Sequence, residues 1–269
     1  PLAIYCRQSL ARYMAEDCKS LFAITKAGLA FYADFFAMPY PFSKYDQLFV
    51  PEFNEGAMEN VGAVTFTEHY VFREAKTRAE HLSRADTVLH EMAHMYFGDL
   101  VTMQWWNGLW LNESFATYMA ALCTARATEH GDDAWVQFCS GMKAWAYRED
   151  QLPTTHPIEP ESVEDTEATF ANFDGVTYGK GASVLKQLVA VLGMDAFREG
   201  MRLYMSRFAY KNTTLADFLT ALQERAPDGA DLSAWSSEWL TRAGLNSLRA
   251  DYDIEGDTVT RFAIAQEAV

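Results

Sequence analysis

The stretch HEMAHMYFGD, residues 90–99, decides how the rest of the chain is read. Side chains four apart in a helix share a face, roughly 40° apart around the axis, so His90 and His94 can converge on one ion. Glu91 flanks that face. With 6 histidines in 269 residues, H-E-x-x-H arises by accident on the order of once per hundred such chains. The pattern therefore calls for a third ligand before it means a metal.

Zinc in hydrolases typically takes three protein ligands, often two His and one Glu, and keeps one position open for water. The segment LWLNESFATYMAALCTARATEHG, residues 109–131, offers such a Glu. Asn112 is expected to cap a helix that places Glu113 in its first turn, where the helix dipole alone would already favour an acid. Glu113 also follows His94 by nineteen residues, enough for a helix to end, a loop to cross and a second helix to return its carboxylate.

Composition bounds the alternatives. At 49% hydrophobic and 14% aromatic, the chain can fill the core of one large domain or two modest ones. A net charge of −15 argues against nucleic-acid partners and anionic membranes, both of which require clustered Lys and Arg. Four cysteines without a C-x-x-C spacing read as reduced thiols of a cytoplasmic protein. No apolar run approaches the ~20 residues of a membrane span, and no signal peptide is recognisable. A first residue of Pro rather than Met is expected of a segment from a longer polypeptide.

Periodicity changes along the chain. After an extended start, residues 19–37 have helical apolar spacing ended by MPYP, and QLFVPEF and GAVTFTEHYVF carry strand signals. Helices are expected at 78–97, 113–129, 133–149, 178–192, 195–209, 214–225 and 231–243, with residues 153–172 a long acidic surface loop. The class is thus α+β, mostly helical with a small N-terminal sheet. Residues 1–243 are expected to form one domain, and alternating residues in 244–269 the first strands of an incomplete β-sandwich.

H-E-x-x-H, eighteen intervening residues and then Glu113, combined with GAMEN at residues 56–60, resemble the zinc aminopeptidase family typified by aminopeptidase N. FGDLVTMQWWNGLWLNESFA and PEFNEGAMENVGAVTF are similar to its bacterial members. The resemblance implies a thermolysin-like catalytic domain that binds Zn2+ through His90, His94 and Glu113 and acts on peptides with a free N-terminus. Glu91, beside both histidines and not needed as a ligand, is placed to take the proton of metal-activated water.

GAMEN lies between strand signals, where its backbone can present an edge to an extended peptide. Gly56, Ala57, Met58 and Glu59 are therefore the expected substrate-binding residues, Gly56 permitting close approach. By the resemblance, Glu59 holds the substrate's α-ammonium, since a cation in a partly dry pocket needs a negative partner. Residues 173–185, FDGVTYGKGASVL, resemble the family stretch whose tyrosine, here Tyr178, stabilises the oxyanion; a neutral phenol can donate a hydrogen bond there. GVTYGKG departs from a phosphate loop in spacing and final residue.

His69, His81, His130 and His156 lack partners at ligand spacing and read as structural or solvent-facing, and Trp105, Trp106 and Trp110 as core or cleft wall. Thr117 stands where thermolysin-type sites often carry an Asp that orients a ligand, which leaves Asp99 as the expected orienting group. Glu55, just before GAMEN, is a candidate for shaping the first side-chain pocket. Sequons at Asn112 and Asn212 are read as unused.

Two alternatives follow from the same resemblance: an epoxide hydrolase of the leukotriene hydrolase type, or a noncatalytic interaction protein, against which the six retained residues weigh. Full members of the family add domains on both sides of the catalytic one, so an isolated segment is expected to be poorly active.

Overall fold

Strand-forming residues near the start assemble a small sheet. The computed structural model describes residues 1–268. β1 (Leu2–Cys6), α1 (Ala11–Phe35), β2 (Tyr45–Val50), β3 (Ala57–Met58) and β4 (Ala63–Thr67) follow in order, and the sheet runs β1-β2-β4-β3. β1, β2 and β4 are parallel, while β3 pairs antiparallel with β4 and ends the sheet. A parallel pair needs a crossover, and α1 supplies the one between β1 and β2. Val64 and Phe66 are fully buried, while Thr65 and Thr67 on the other face are only half-buried.

α1 starts eight residues earlier than its apolar spacing predicts, because the polar run ARYMAEDC buries only Met14. α2 (Arg78–His94) opens with a reciprocal cap: the Glu80 amide donates to Thr77 Oγ1 at 3.3 Å, and the Thr77 amide to Glu80 Oε2 at 2.8 Å. It stops at His94 rather than residue 97. β5 (Val101–Met103) leads to α3 (Trp110–Ala127), whose residues from Trp110 to Thr124 are all buried. A helix apolar all round belongs in the core. α3 begins before Asn112, so that residue lies inside the helix and does not cap it, contrary to expectation; Leu109 precedes the helix with no side-chain cap.

The helix expected over 133–149 is built from α4 (Asp133–Gln137), a π-helical turn (Phe138–Lys143) and α5 (Ala144–Glu149). After α6 (Thr166–Phe170), a second π-turn (Val176–Lys180) runs into α7 (Gly181–Leu192). Gly193, at φ +82°, breaks the chain into α8 (Met194–Phe208). β6 (Lys211–Thr213) pairs parallel with β5 before α9 (Leu215–Gln223) and α10 (Leu232–Trp239). β7 (Ser247–Glu255) and β8 (Thr258–Glu267) form an antiparallel hairpin. Leu248, Tyr252, Ile254, Phe262 and Ile264 on it are all exposed.

Residues 153–172 are less loop-like than expected. They contain α6 and bury Ile158 and Val163. The Trp105 indole donates to the Val163 carbonyl at 2.8 Å, and Glu159 accepts from Asn107 Nδ2 at 2.9 Å and from the Trp110 indole. Two aliphatics among prolines and acids leave no period to detect, so the strap is invisible to pattern reading.

Burial pushes the Glu159 carboxyl up to about 7, against the opposing effect of those two donors. A group that holds its proton more tightly when folded stabilises the fold below its unfolded pKa, and that stability is lost as pH rises through the folded value. Glu159→Gln is therefore expected to lose less stability than wild type between about pH 5 and about pH 8 in urea unfolding. Identical losses in the two proteins would contradict this.

Candidate active site

α2 and α3 pack side by side, and this places the last turn and a half of one against the first turn of the other. His90 and His94 project from α2 with their Nε2 atoms 3.0 Å apart, and Glu113 Oε2 from α3 lies 3.3 Å from each. These three side chains form a cluster that could hold a metal, all ligand atoms lying within 4.8 Å of one another. Tetrahedral zinc with bonds of about 2.0–2.1 Å has ligand–ligand edges of about 3.3 Å, so the spacing suits the ion. Glu113 Oε2 is buried without a hydrogen-bond partner, a state that favours a cation beside it.

Orientation comes from the neighbours. His94 Nδ1 donates to the Phe97 carbonyl at 2.9 Å, which fixes the tautomer and leaves Nε2 toward Glu113. Thr117 Oγ1 lies 3.5 Å from His90 Nδ1. Asp99 does not orient either ring: its Oδ2 is buried and unpartnered, and the expectation drawn from its spacing is corrected in favour of the Phe97 carbonyl. No sequence pattern reveals a backbone carbonyl.

The site is rich in negative charge. Burial pushes the Glu91 carboxyl up to about 8, against the opposing pull of His94. Burial and Glu59 together raise Asp99 to about 7. Burial also works against ionised Glu113, yet His94 and His90 hold it well below the usual carboxylate range. Burial opposes charge on His94 too, but Glu113 and Glu59 draw its pKa well above the ordinary value, whereas burial lowers His90. Such a pocket demands a positive charge at its centre. A divalent cation among the three ligands meets that demand.

Glu91 is 5% exposed, lies on α2 between the two histidines in sequence, and makes no contact that marks it as a ligand. Glu59 follows β3, with Oε1 3.6 Å from His94 Nδ1. Ala57 and Met58 form β3 itself, whose outer edge is free in the sheet order. A Cβ on Gly56 would meet only the Tyr70 hydroxyl, at 3.7 Å, so internal packing does not require a glycine there. Glu55 stands exposed just ahead of it.

Tyr178 sits on the second π-turn, its ring parallel to His90 with centroids 6.0 Å apart and tilted against Trp145 at 5.9 Å. Burial, then the charge of Glu113, keeps its phenol neutral far above the usual range. Gly181 permits this approach of the turn to α3: a Cβ there would lie 2.0 Å from Ser114 Oγ and 2.8 Å from its Cβ. Ser114 Oγ in turn donates to the Thr177 carbonyl at 2.6 Å. Ser114 is neither a ligand nor an acid–base group, so residue type alone gives no sign of this role. The six residues expected to carry chemistry come from four separate segments of chain: the stretch after β3, α2, α3 and the second π-turn.

The Peptidase family M1 domain model matches residues 21–239. The chain belongs to peptidase family M1. Among M1 relatives it is 54% identical to an aminopeptidase N of Streptomyces lividans over 270 residues, covering 100% of this chain and 31% of that protein. It is 39% identical to a probable aminopeptidase 2 of Sulfurisphaera tokodaii over 227 residues, 82% of this chain and 28% of the relative. A leucyl aminopeptidase of Saccharolobus solfataricus is 37% identical over 227 residues, 84% and 28% of the two chains. The chain therefore spans about a third of the length of the M1 relatives it matches.

Proposed function

We propose that the protein is a zinc aminopeptidase that removes the N-terminal residue of peptides. The arrangement of His90, His94 and Glu113 around one point, with Glu91, Glu59 and Tyr178 beside it, carries this reading. Bound zinc supplies the Lewis acid that polarises the scissile carbonyl and acidifies water.

The residues of the chain do the rest. Glu91 takes the proton of the attacking water and delivers it to the departing amine. Tyr178, neutral and stacked beside His90, donates a hydrogen bond to the oxygen on which charge develops. Glu59 pairs with the α-ammonium, which sets the cut one residue from the chain terminus. Gly56, Ala57 and Met58 offer the free edge of β3 to the backbone of an extended substrate.

Four free cysteines support a cytoplasmic setting. Among the described residues no helix is long and apolar enough to cross a membrane. The exposed apolar faces of the β7–β8 hairpin support a division into residues 1–243 as catalytic domain and 244–269 as strands of another.

A panel of aminoacyl amides, each with a free and an acetylated amine, tests the reading on the full-length protein. Acetylation is expected to lower kcat/KM by about a hundredfold or more, since it removes the charge Glu59 pairs with and leaves that carboxylate unpaired. Hydrolysis indifferent to acetylation would remove the amine anchor.

A further inference from the structure

His156 serves none of the roles assigned above, yet it is tied to the turn that carries Tyr178. Its Nδ1 lies 2.7 Å from the Pro157 carbonyl and its Nε2 3.0 Å from Asp174 Oδ2. Both ring nitrogens thus face acceptors, which satisfies the doubly protonated imidazolium. Asp174 uses its other oxygen on the start of the π-turn: Oδ1 accepts from the amides of Val176 at 2.9 Å and Thr177 at 3.0 Å. The Asp174 carbonyl accepts from the Tyr178 amide at 3.0 Å. Glu149 of α5 holds the intervening Gly175 amide from the other side.

Two of the backbone amides just ahead of Tyr178 thus rest on the Asp174 carboxylate, and the strap of residues 153–172 holds that carboxylate through the His156 imidazole. π-turns are uncommon and cluster at functional sites, where they re-aim a side chain. We propose that His156 is a positioning residue for Tyr178, acting through Asp174. The inference rests on Tyr178 donating to the developing oxyanion. Asp174 beside the ring, backed by the Pro157 carbonyl, raises the His156 pKa in spite of burial, and the acid of Asp150 just after α5 adds to this. That shift favours the imidazolium, the form that can donate to both acceptors at once.

Four forms of the full-length protein test it: wild type, His156→Gln, Tyr178→Phe and the double variant, compared in kcat and KM on a free-amine aminoacyl amide. Tyr178→Phe is expected to lower kcat by about 10²–10³-fold, as the loss of one oxyanion donor does. His156→Gln is expected to lower kcat by about tenfold through misplacement of the phenol, with KM within about twofold and zinc content unchanged.

In the double variant the loss should equal that of Tyr178→Phe alone, because the two act as one unit. An equal His156→Gln loss in both backgrounds, or no loss at all in wild type, overturns the proposal. A Tyr178→Phe protein of full activity would instead sink the oxyanion role itself, and the His156 inference with it. Should His156→Gln fail to fold, Asp174→Asn carries the same comparison, since its amide oxygen still accepts from Val176 and Thr177 while its bond to His156 changes. Non-additivity with Tyr178→Phe is again the expected result, and additivity the contradicting one.

Discussion

Glu91→Gln is expected to leave zinc bound and lower kcat by about 10⁴-fold, the upper range for loss of a general base. The substitution preserves shape and burial on α2, and Glu91 is not among the three clustered ligands. What it removes is the carboxylate that stands between the two histidines on α2, lies outside the ligand cluster and can accept a proton. A neighbouring divalent cation favours the ionised, proton-accepting form of that acid, offsetting the burial that raises its pKa. Rates and zinc content measured on the same preparation decide the point. Unchanged turnover would exclude Glu91 as the base, and lost zinc would make it a ligand.

The second large effect is expected at Glu113. Glu113→Gln keeps the side chain's volume in the first turn of α3 but removes the charge that balances two imidazoles. Zinc affinity is expected to fall by more than about a hundredfold, beyond what loss of an outer hydrogen-bond partner costs a metal site. Because zinc binds the folded form, it should raise the Tm of wild type and leave that of Glu113→Gln nearly unmoved. Thermal unfolding with and without zinc, after chelator treatment, is the check. Equal zinc-induced shifts would show that the acid is no ligand.

The helices that carry the site were legible because their periods are strong. α2 could be read from its apolar spacing, and the histidines from spacing that only a helix brings together. The Glu113 placement rested on arithmetic along the chain, and its neighbours fill a helix buried all round, where the pattern gives existence but not the exact start. Sequence pattern therefore suggests a cap at Asn112, two residues inside the helix start that the fold adopts. GAMEN announced a strand edge only through the β-rich runs on each side, and the two-residue β3 is too short to show a period of its own.

What stayed hidden are groups that act through backbone or through space. The Phe97 carbonyl that orients His94 leaves no trace in residue identity, whereas Asp99, a titratable side chain at a plausible spacing, drew attention without making the bond. His156, on a strap without periodicity, and Asp174, just ahead of the π-turn, are eighteen residues apart, so their pairing emerges only once the chain is folded. The π-turn beneath Tyr178 is likewise set by tertiary contacts at Ser114, Glu149 and Asp174, not by local propensity.

The central claim is that two imidazoles and one carboxylate grip a single ion. An anomalous difference map at the zinc edge, from a crystal grown with about one equivalent of zinc, tests it most directly. The account predicts one strong peak about 2.0–2.2 Å from His90 Nε2, His94 Nε2 and a Glu113 carboxylate oxygen. A peak elsewhere in the chain, or none between those three side chains, would contradict it.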